Sequence, residues 1–161
     1  MSVTAYVALG SNLEQPAQQV TAALAALATL PHCHAVCASS LYATTPVGYA
    51  DQPDFINAVA RLDTTLDAFA LLDALQALET RFGRVRSFRN APRVLDLDLL
   101  LYGEHCQDHP TLTLPHPRMH ERTFVLMPLA DVAPDLLIPG CGRVADCLAG
   151  LPVNGIEKLA G

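Results

Sequence analysis

The chain has 161 residues, 51% of them apolar, and a formal net charge of −6. That length suits one domain with a real core, and that apolar fraction excludes a disordered chain. The acidic balance speaks against general nucleic-acid binding, and no run reaches the roughly 20 apolar residues of a membrane span. Positive charge is nevertheless focused. Five of the ten basic residues (Arg81, Arg84, Arg86, Arg89 and Arg93) fall in one acid-free stretch, as a local anion site requires. The start, Met1-Ser2-Val3-Thr4, lacks a basic, apolar leader, and the five cysteines contain no C-x-x-C pair, so the expectation is a cytoplasmic protein with free thiols. His32, Cys33, His34 and Cys37 cluster closely enough to consider zinc, but their spacing matches no common zinc module.

In chain order, residues 3–9 read as a buried strand, ended by turn chemistry at Gly10-Ser11-Asn12. Such a turn could offer N–H groups to a phosphate, but it lacks the glycine pattern of a P-loop. Pro16 suits the first position of a helix whose apolar face (Val20, Leu24, Leu27) runs to about Leu30, where Pro31 stops it. Residues 33–43 read as a second strand, followed by a long loop, 44–53, with two prolines and a glycine. Phe55–Asp63 reads as a third strand with Phe55, Asn57, Val59 and Arg61 on one face. An Asn is disfavoured inside a strand. Beside Phe55 its amide could read the edge of a flat heterocycle, or simply pair with a neighbouring backbone group.

Thr64, Thr65 and Asp67 signal a helix start, Phe69, Leu72, Leu75, Leu78 and Phe82 its apolar face, and Gly83 its end. Glu79 sits near that end. The arginine-rich loop follows and runs into Leu95-Asp96-Leu97-Asp98-Leu99-Leu100-Leu101. A strand alternates its side chains, so Leu95, Leu97, Leu99 and Leu101 take one face. Asp96 and Asp98 share the other with Cα atoms on the order of 7 Å apart. Two carboxylates this close resist joint ionisation unless a cation sits between them, and Mg²⁺ takes such ligands together with phosphate oxygens. A solvated strand face is the plain alternative. Gly103-Glu104 reads as a turn, Thr111–Leu114 as a short edge strand, Phe124–Val132 as a helix disturbed by Pro128, and Val144–Leu148 as a short helix.

The order β-α-β-β-α-β predicts an α+β, ferredoxin-like core with an antiparallel sheet, followed by a C-terminal extension of short helices and strands. The helices pack under the leucine face. The opposite face, with Phe55, Asn57, Asp96 and Asp98, is left open for a site. One domain spans 1–161.

With these residues in view, the chain resembles the 6-hydroxymethyl-7,8-dihydropterin pyrophosphokinase family of folate biosynthesis. The resemblance rests on Arg89, then Ala91-Pro92-Arg93, then Asp96-Leu97-Asp98 followed by two aliphatic residues. Gly10-Ser11-Asn12, Asp51-Gln52-Pro53 before Phe55-x-Asn57, Gly83-Arg84-Val85-Arg86, and Pro115-His116 before Arg122-x-Phe124 occur in the family's order. The resemblance implies ATP as donor, the pterin hydroxymethyl group as acceptor and AMP as a product. It implies that Asp96 and Asp98 hold two Mg²⁺ ions and that Arg84, Arg93, His116 and Arg122 contact phosphates, with Arg84, Arg93 and the two aspartates closest to the chemistry. Glu79, Leu99 and Thr113 match further nucleotide contacts. Phe55 and Phe124 match two walls around the pterin, and Asn57 its edge reader, aided by Thr44, Val47 and Asp96. The chain departs from some relatives at Phe55 (for Tyr), at Asn90 in a shorter loop, and at Thr111, a place that can be basic. Family analogy further implies a monomer with no nucleic-acid or membrane partner. An RNA-binding module on the same fold is the main rival from another class, but aromatics are only 6% here, and such a module does not need two carboxylates in its sheet.

Overall fold

The computed structural model describes residues 2–11, 15–44, 55–82, 95–152 and 155–159. They form β1 (Val3–Ser11), α1 (Pro16–Leu27), β2 (Cys33–Ala38), β3 (Tyr42–Thr44), β4 (Phe55–Thr64), α2 (Ala68–Arg81) and β5 (Asp96–Tyr102). The C-terminal part adds a 3₁₀ turn (Met119–Glu121), α3 (Thr123–Val132), β6 (Leu137–Ile138), β7 (Gly142–Arg143), α4 (Val144–Ala149) and β8 (Ile156–Lys158). Among the described residues the main sheet runs β5-β1-β4-β3-β8, with β2 also paired to β4. Every one of these pairings is antiparallel. Because β2 and β3 follow the same partner, they count as one interrupted strand, and the sheet keeps the order expected of the β-α-β-β-α-β unit.

Local chemistry explains the element ends. Pro16 occupies the first turn of α1, where its missing N–H loses no bond. Asp67 caps α2, its Oδ1 accepting the Ala70 N–H at 2.8 Å. The interruption between β2 and β3 lies at Ser39. Its N–H donates to the Val59 carbonyl at 2.8 Å, while its hydroxyl accepts the Val59 N–H at 2.9 Å. A side chain thus takes the place of a ladder carbonyl, and the expected continuous strand over 33–43 is split.

Four other expectations need correction. Gly10 and Ser11 belong to β1 and are no turn. Thr111–Leu114 is no strand; only Leu114 bridges, to Gln107. The buried face of α2 is Leu71, Leu75 and Leu78, whereas Phe69 is 39% exposed. Finally, Leu101 leaves the leucine face. The β1–β5 register shifts between Tyr6 and Val7, which oppose Leu101 and Leu99, so the extra residue Leu100 forms a bulge. Leu100 and Leu101 then both join the far-side core, and Tyr102 swings under α2, its hydroxyl donating to the Leu66 carbonyl.

Two cores result. Ala5, Val7, Leu9, Ala58, Ala60 and Leu62 pack against α1 and α2. On the opposite face Tyr6, Val59, Leu100 and Leu101 pack against Met119, α3 and α4. The second layer covers one half of that face, so the face expected to be open is open only toward the Asn57–Asp96 end. Among the described residues no helix is long and apolar enough to cross a membrane.

The register of α2 makes a paired expectation. Leu75→Ala should destabilise the fold by about 2–5 kcal/mol, because Leu75 is fully buried. Phe69→Ala should cost less than about 1 kcal/mol, since its ring is partly solvated. Urea unfolding of both variants checks the assignment.

Candidate functional site

The site begins with a register. β1 lies between β4 and β5, and Gly10 stands opposite Asn57 on one side and Asp96 on the other. Directly opposed residues of an antiparallel ladder share a face. Asn57, Gly10 and Asp96 therefore form one row on the face turned away from α1 and α2. Val59, Ala8 and Asp98 form the next parallel row. A Cβ at position 10 would stand 3.0 Å from Asn57 Oδ1, so glycine leaves a bare floor between the amide and the carboxylate. A glycine inside a strand pattern signals such close approach; that signal was present in the sequence, and the turn reading passed over it.

Asn57 is buried, and its Nδ2 donates to Thr44 Oγ1 at 2.8 Å. Thr44 in turn opposes Phe55 across β3 and β4. These three residues, expected together around the acceptor, lie together at the mouth of the sheet. Phe124, half-buried, opens α3 and packs on the far-side core that contains Val59. The Arg122 guanidinium lies 5.6 Å from the Phe124 ring centroid, within cation–π range.

On the other side of the row, Glu79 is buried on α2, and its Oε2 accepts the Leu97 N–H at 2.8 Å. Among the described strands β5 has β1 as its neighbour on one side only, so this N–H faces away from the ladder and requires another acceptor. The peptide it belongs to lies between Asp96 and Asp98. Glu79 thereby holds the strand that carries the carboxylate pair, a task its helical position did not reveal in the sequence.

A cavity of about 330 Å³ opens beside β5, within the size range of small-molecule sites. Glu79, Leu99, Thr113 and His116, all expected at a nucleotide, line it with Asp98, expected at a metal, together with Gln76 and His109. Gln76 and His109 were missed, because nothing in the residues 105–113 marks a wall until the chain folds back over β5. His109 is held edge-on against Phe69, with ring centroids 5.0 Å apart, and its Nδ1 accepts the Thr111 N–H at 3.0 Å. Arg84, Arg93 and Val47, like Asn12, Arg86, Arg89 and the segment 51–53, lie outside the described residues.

His116 is fixed by its N–H, which donates to the Leu100 carbonyl at 2.9 Å, and by its Nδ1, which accepts the Arg118 N–H at 3.2 Å. In the neutral ring Nε2 therefore carries the hydrogen and can donate. Burial lowers the pKa of this ring below its ordinary 6.5. The Asp98 charge opposes that shift, and the Arg122 and Arg118 charges reinforce it.

Asp96 is half-buried and Asp98 exposed. Their hard oxygens suit Mg²⁺, which completes its shell with water and phosphate oxygens. Among the described residues no three His, Cys, Asp or Glu side chains are placed to hold a metal, and this includes the cluster at 32–37. All five cysteines are free thiols.

A carboxylate pair on an edge strand, flanked by a nucleotide-sized cavity and an amide-lined floor, belongs to an enzyme that moves a phosphate-bearing group between small molecules. The comparisons with known proteins are more specific. The family model described as 7,8-dihydro-6-hydroxymethylpterin-pyrophosphokinase matches residues 6–134, and the chain belongs to that family. It is 54% identical to the 2-amino-4-hydroxy-6-hydroxymethyldihydropteridine pyrophosphokinase of Pseudomonas aeruginosa, over 97% of this chain and 96% of that one. It is 50% identical to the protein of the same name from Haemophilus influenzae, over 98% of each. A crystal structure of Plasmodium falciparum HPPK-DHPS superposes with a TM-score of 0.72 at 13% identity, over 92% of this chain and 42% of the other. The chain thus spans about two fifths of that structure's length, and the likeness bears on the fold alone. The protein is a pyrophosphokinase of this family.

Two outcomes test the site's construction. Glu79→Ala should destabilise the fold by about 1–3 kcal/mol, because it strands the Leu97 N–H. Glu79→Gln, which keeps an acceptor oxygen, should lose less, and chemical denaturation separates the two. The lowered pKa of His116 has its own signature. The unfolded chain takes up this proton first, so stability present above pH 6.5 is lost as pH falls through the folded value. His116→Asn, which preserves an acceptor for Arg118, should flatten this loss in metal-free unfolding curves collected between pH 7.5 and 5.

Proposed function

We propose that the chain transfers a pyrophosphoryl group from ATP to the hydroxymethyl oxygen of 6-hydroxymethyl-7,8-dihydropterin. The acceptor oxygen attacks the β-phosphorus, the bond from that phosphorus to the α–β bridging oxygen breaks, AMP leaves with that oxygen, and the hydroxyl proton passes to water. The observation that carries this reading is the row Asn57–Gly10–Asp96. It sets an edge-reading amide and a phosphate-side carboxylate on one sheet face with only a glycine between them.

The residues divide the work between the two substrates. Phe55 and Phe124 stack on the pterin, and Asn57 reads its edge with Oδ1 and the second hydrogen of Nδ2, the first being engaged by Thr44. The backbone near Thr44 and Val47 assists, and Asp96 borders the acceptor. Glu79, Leu99 and Thr113 line the nucleotide cavity. His116 donates a hydrogen bond to a phosphate oxygen through Nε2–H, while Arg84, Arg93 and Arg122 neutralise phosphate oxygens through guanidinium forks. Asp96 and Asp98 would hold two Mg²⁺ ions, which when bound supply charge neutralisation and polarisation of the polyphosphate. Transfer of this kind asks mainly for positioning and electrostatics from the protein. The reading includes a monomer, by analogy with the family, and a cytoplasmic setting, supported by the free thiols.

Incubation with ATP, Mg²⁺ and the hydroxymethyl pterin should yield AMP only when all three are present. Asp98→Ala should abolish that product, and Asn57→Ala should weaken pterin binding by about 1–3 kcal/mol. Release of ADP, or no turnover by the unaltered chain, would contradict the reading.

A further inference from the structure

On the acceptor side of the sheet lies a tether, buried at its Tyr42 end and exposed at Asp131, that neither substrate site uses. Tyr42, 4% exposed, stands opposite Asn57 in the β3–β4 ladder and so extends the row Asn57–Gly10–Asp96 by one strand. Its hydroxyl donates to Asp131 Oδ2 at 2.8 Å. The same oxygen accepts the Ser40 N–H at 3.3 Å, and Lys158 on β8 approaches Asp131 Oδ1 at 3.8 Å. Burial, with the Asp131 bond and charge, pushes the Tyr42 pKa up to about 12, so the phenol remains a donor at any working pH. Asp131 belongs to α3, which carries Phe124 in its first turn. Residues seven apart are two turns apart and share a helix face. One face of α3 therefore carries the anchor at its far end and the acceptor wall at its near end.

We propose that Tyr42 and Asp131 are positioning residues for the acceptor pocket: their bond sets α3 on β3 and so fixes the Phe124 ring relative to Asn57. Two hydrogen bonds and an ion pair to one carboxylate, from three segments (β3, its lead-in at Ser40, and β8), are more than α3 needs to stay packed, since Val125, Leu126 and Leu129 already bury its apolar side. What the carboxylate adds is a definite placement along the strand, which apolar packing alone defines loosely. Neither Tyr42, Asp131, Ser40 nor Lys158 lines the nucleotide cavity, so the tether's effect falls on one substrate.

This inference rests on the pterin reading of Phe124 and Asn57, and the unaltered chain serves as the control that separates the two. Tyr42→Phe removes a single oxygen and should raise the pterin KM and Kd by roughly three- to tenfold, leaving kcat and the ATP KM within about twofold. Asp131→Asn, the second variant, retains an acceptor oxygen and should remain near the unaltered chain. In a double-mutant cycle, Tyr42→Phe should add little to Phe124→Ala, because the tether acts through that ring. The proposal is overturned if Tyr42→Phe binds pterin normally, if it weakens ATP and pterin alike in step with a fall in Tm, or if its effect multiplies with that of Phe124→Ala. If the unaltered chain makes AMP while Tyr42→Phe behaves normally, the tether fails and the function stands. If the unaltered chain makes none, both fall.

Discussion

Asn57, Gly10 and Asp96 cross three strands in one row, and the absence of a side chain at its centre is the constraint on which the site depends. The register of β1 against both neighbours sets this row. Shifting either pairing by one residue would turn Asn57 or the aspartates into the core beneath α1 and α2. The apolar alternation of Ala5, Val7 and Leu9 against Ala58, Ala60 and Leu62 holds the register. The same packing that stabilises the sheet therefore aims the functional side chains, and the fold's energetics and its chemistry share one set of contacts.

The edge position of β5 raises a second problem, which the structure meets with Glu79. Among the described residues no strand lies beyond β5, so its outward N–H groups need other acceptors. A buried glutamate from α2 takes the Leu97 N–H and leaves Asp98 exposed. Further along, the bulge at Leu100 reverses the faces, so the strand packs Leu100 and Leu101 on the far-side core while its first half serves the site. One strand thus changes duty halfway, and the C-terminal layer of α3 and α4 ends where the site begins.

Much of this was legible in the chain. Alternation placed Asp96 with Asp98 and Phe55 with Asn57 on one face, and Pro16 and Asp67 marked the helix starts, because these features depend on local geometry alone. The features that were not legible depend on partners distant in sequence. Nothing in Leu99-Leu100-Leu101 says which leucine bulges; the shift shows only when β1 is laid beside β5. Ser39 gives no local sign that its hydroxyl replaces a carbonyl in the ladder. Phe69 looks like the start of an apolar helix face, yet the neighbouring sheet surface selects Leu71 instead. Gln76 and His109 become cavity walls only after the 105–117 segment returns to β5, and Tyr42 meets Asp131 across 89 residues.

Asp96 and Asp98, the proposed Mg²⁺ ligands, share one face of the sheet with Asn57, the proposed reader of the acceptor, across Gly10. Paramagnetic broadening by Mn²⁺, added with a non-hydrolysable ATP analogue to isotopically labelled protein, tests it most directly. The Gly10 amide and the Asn57 side-chain NH₂ should broaden strongly, whereas the far end of the sheet, where Cys33 pairs with Thr64, should remain sharp. Sharp signals at Gly10 and Asn57, with broadening at the Cys33–Thr64 end, would contradict it.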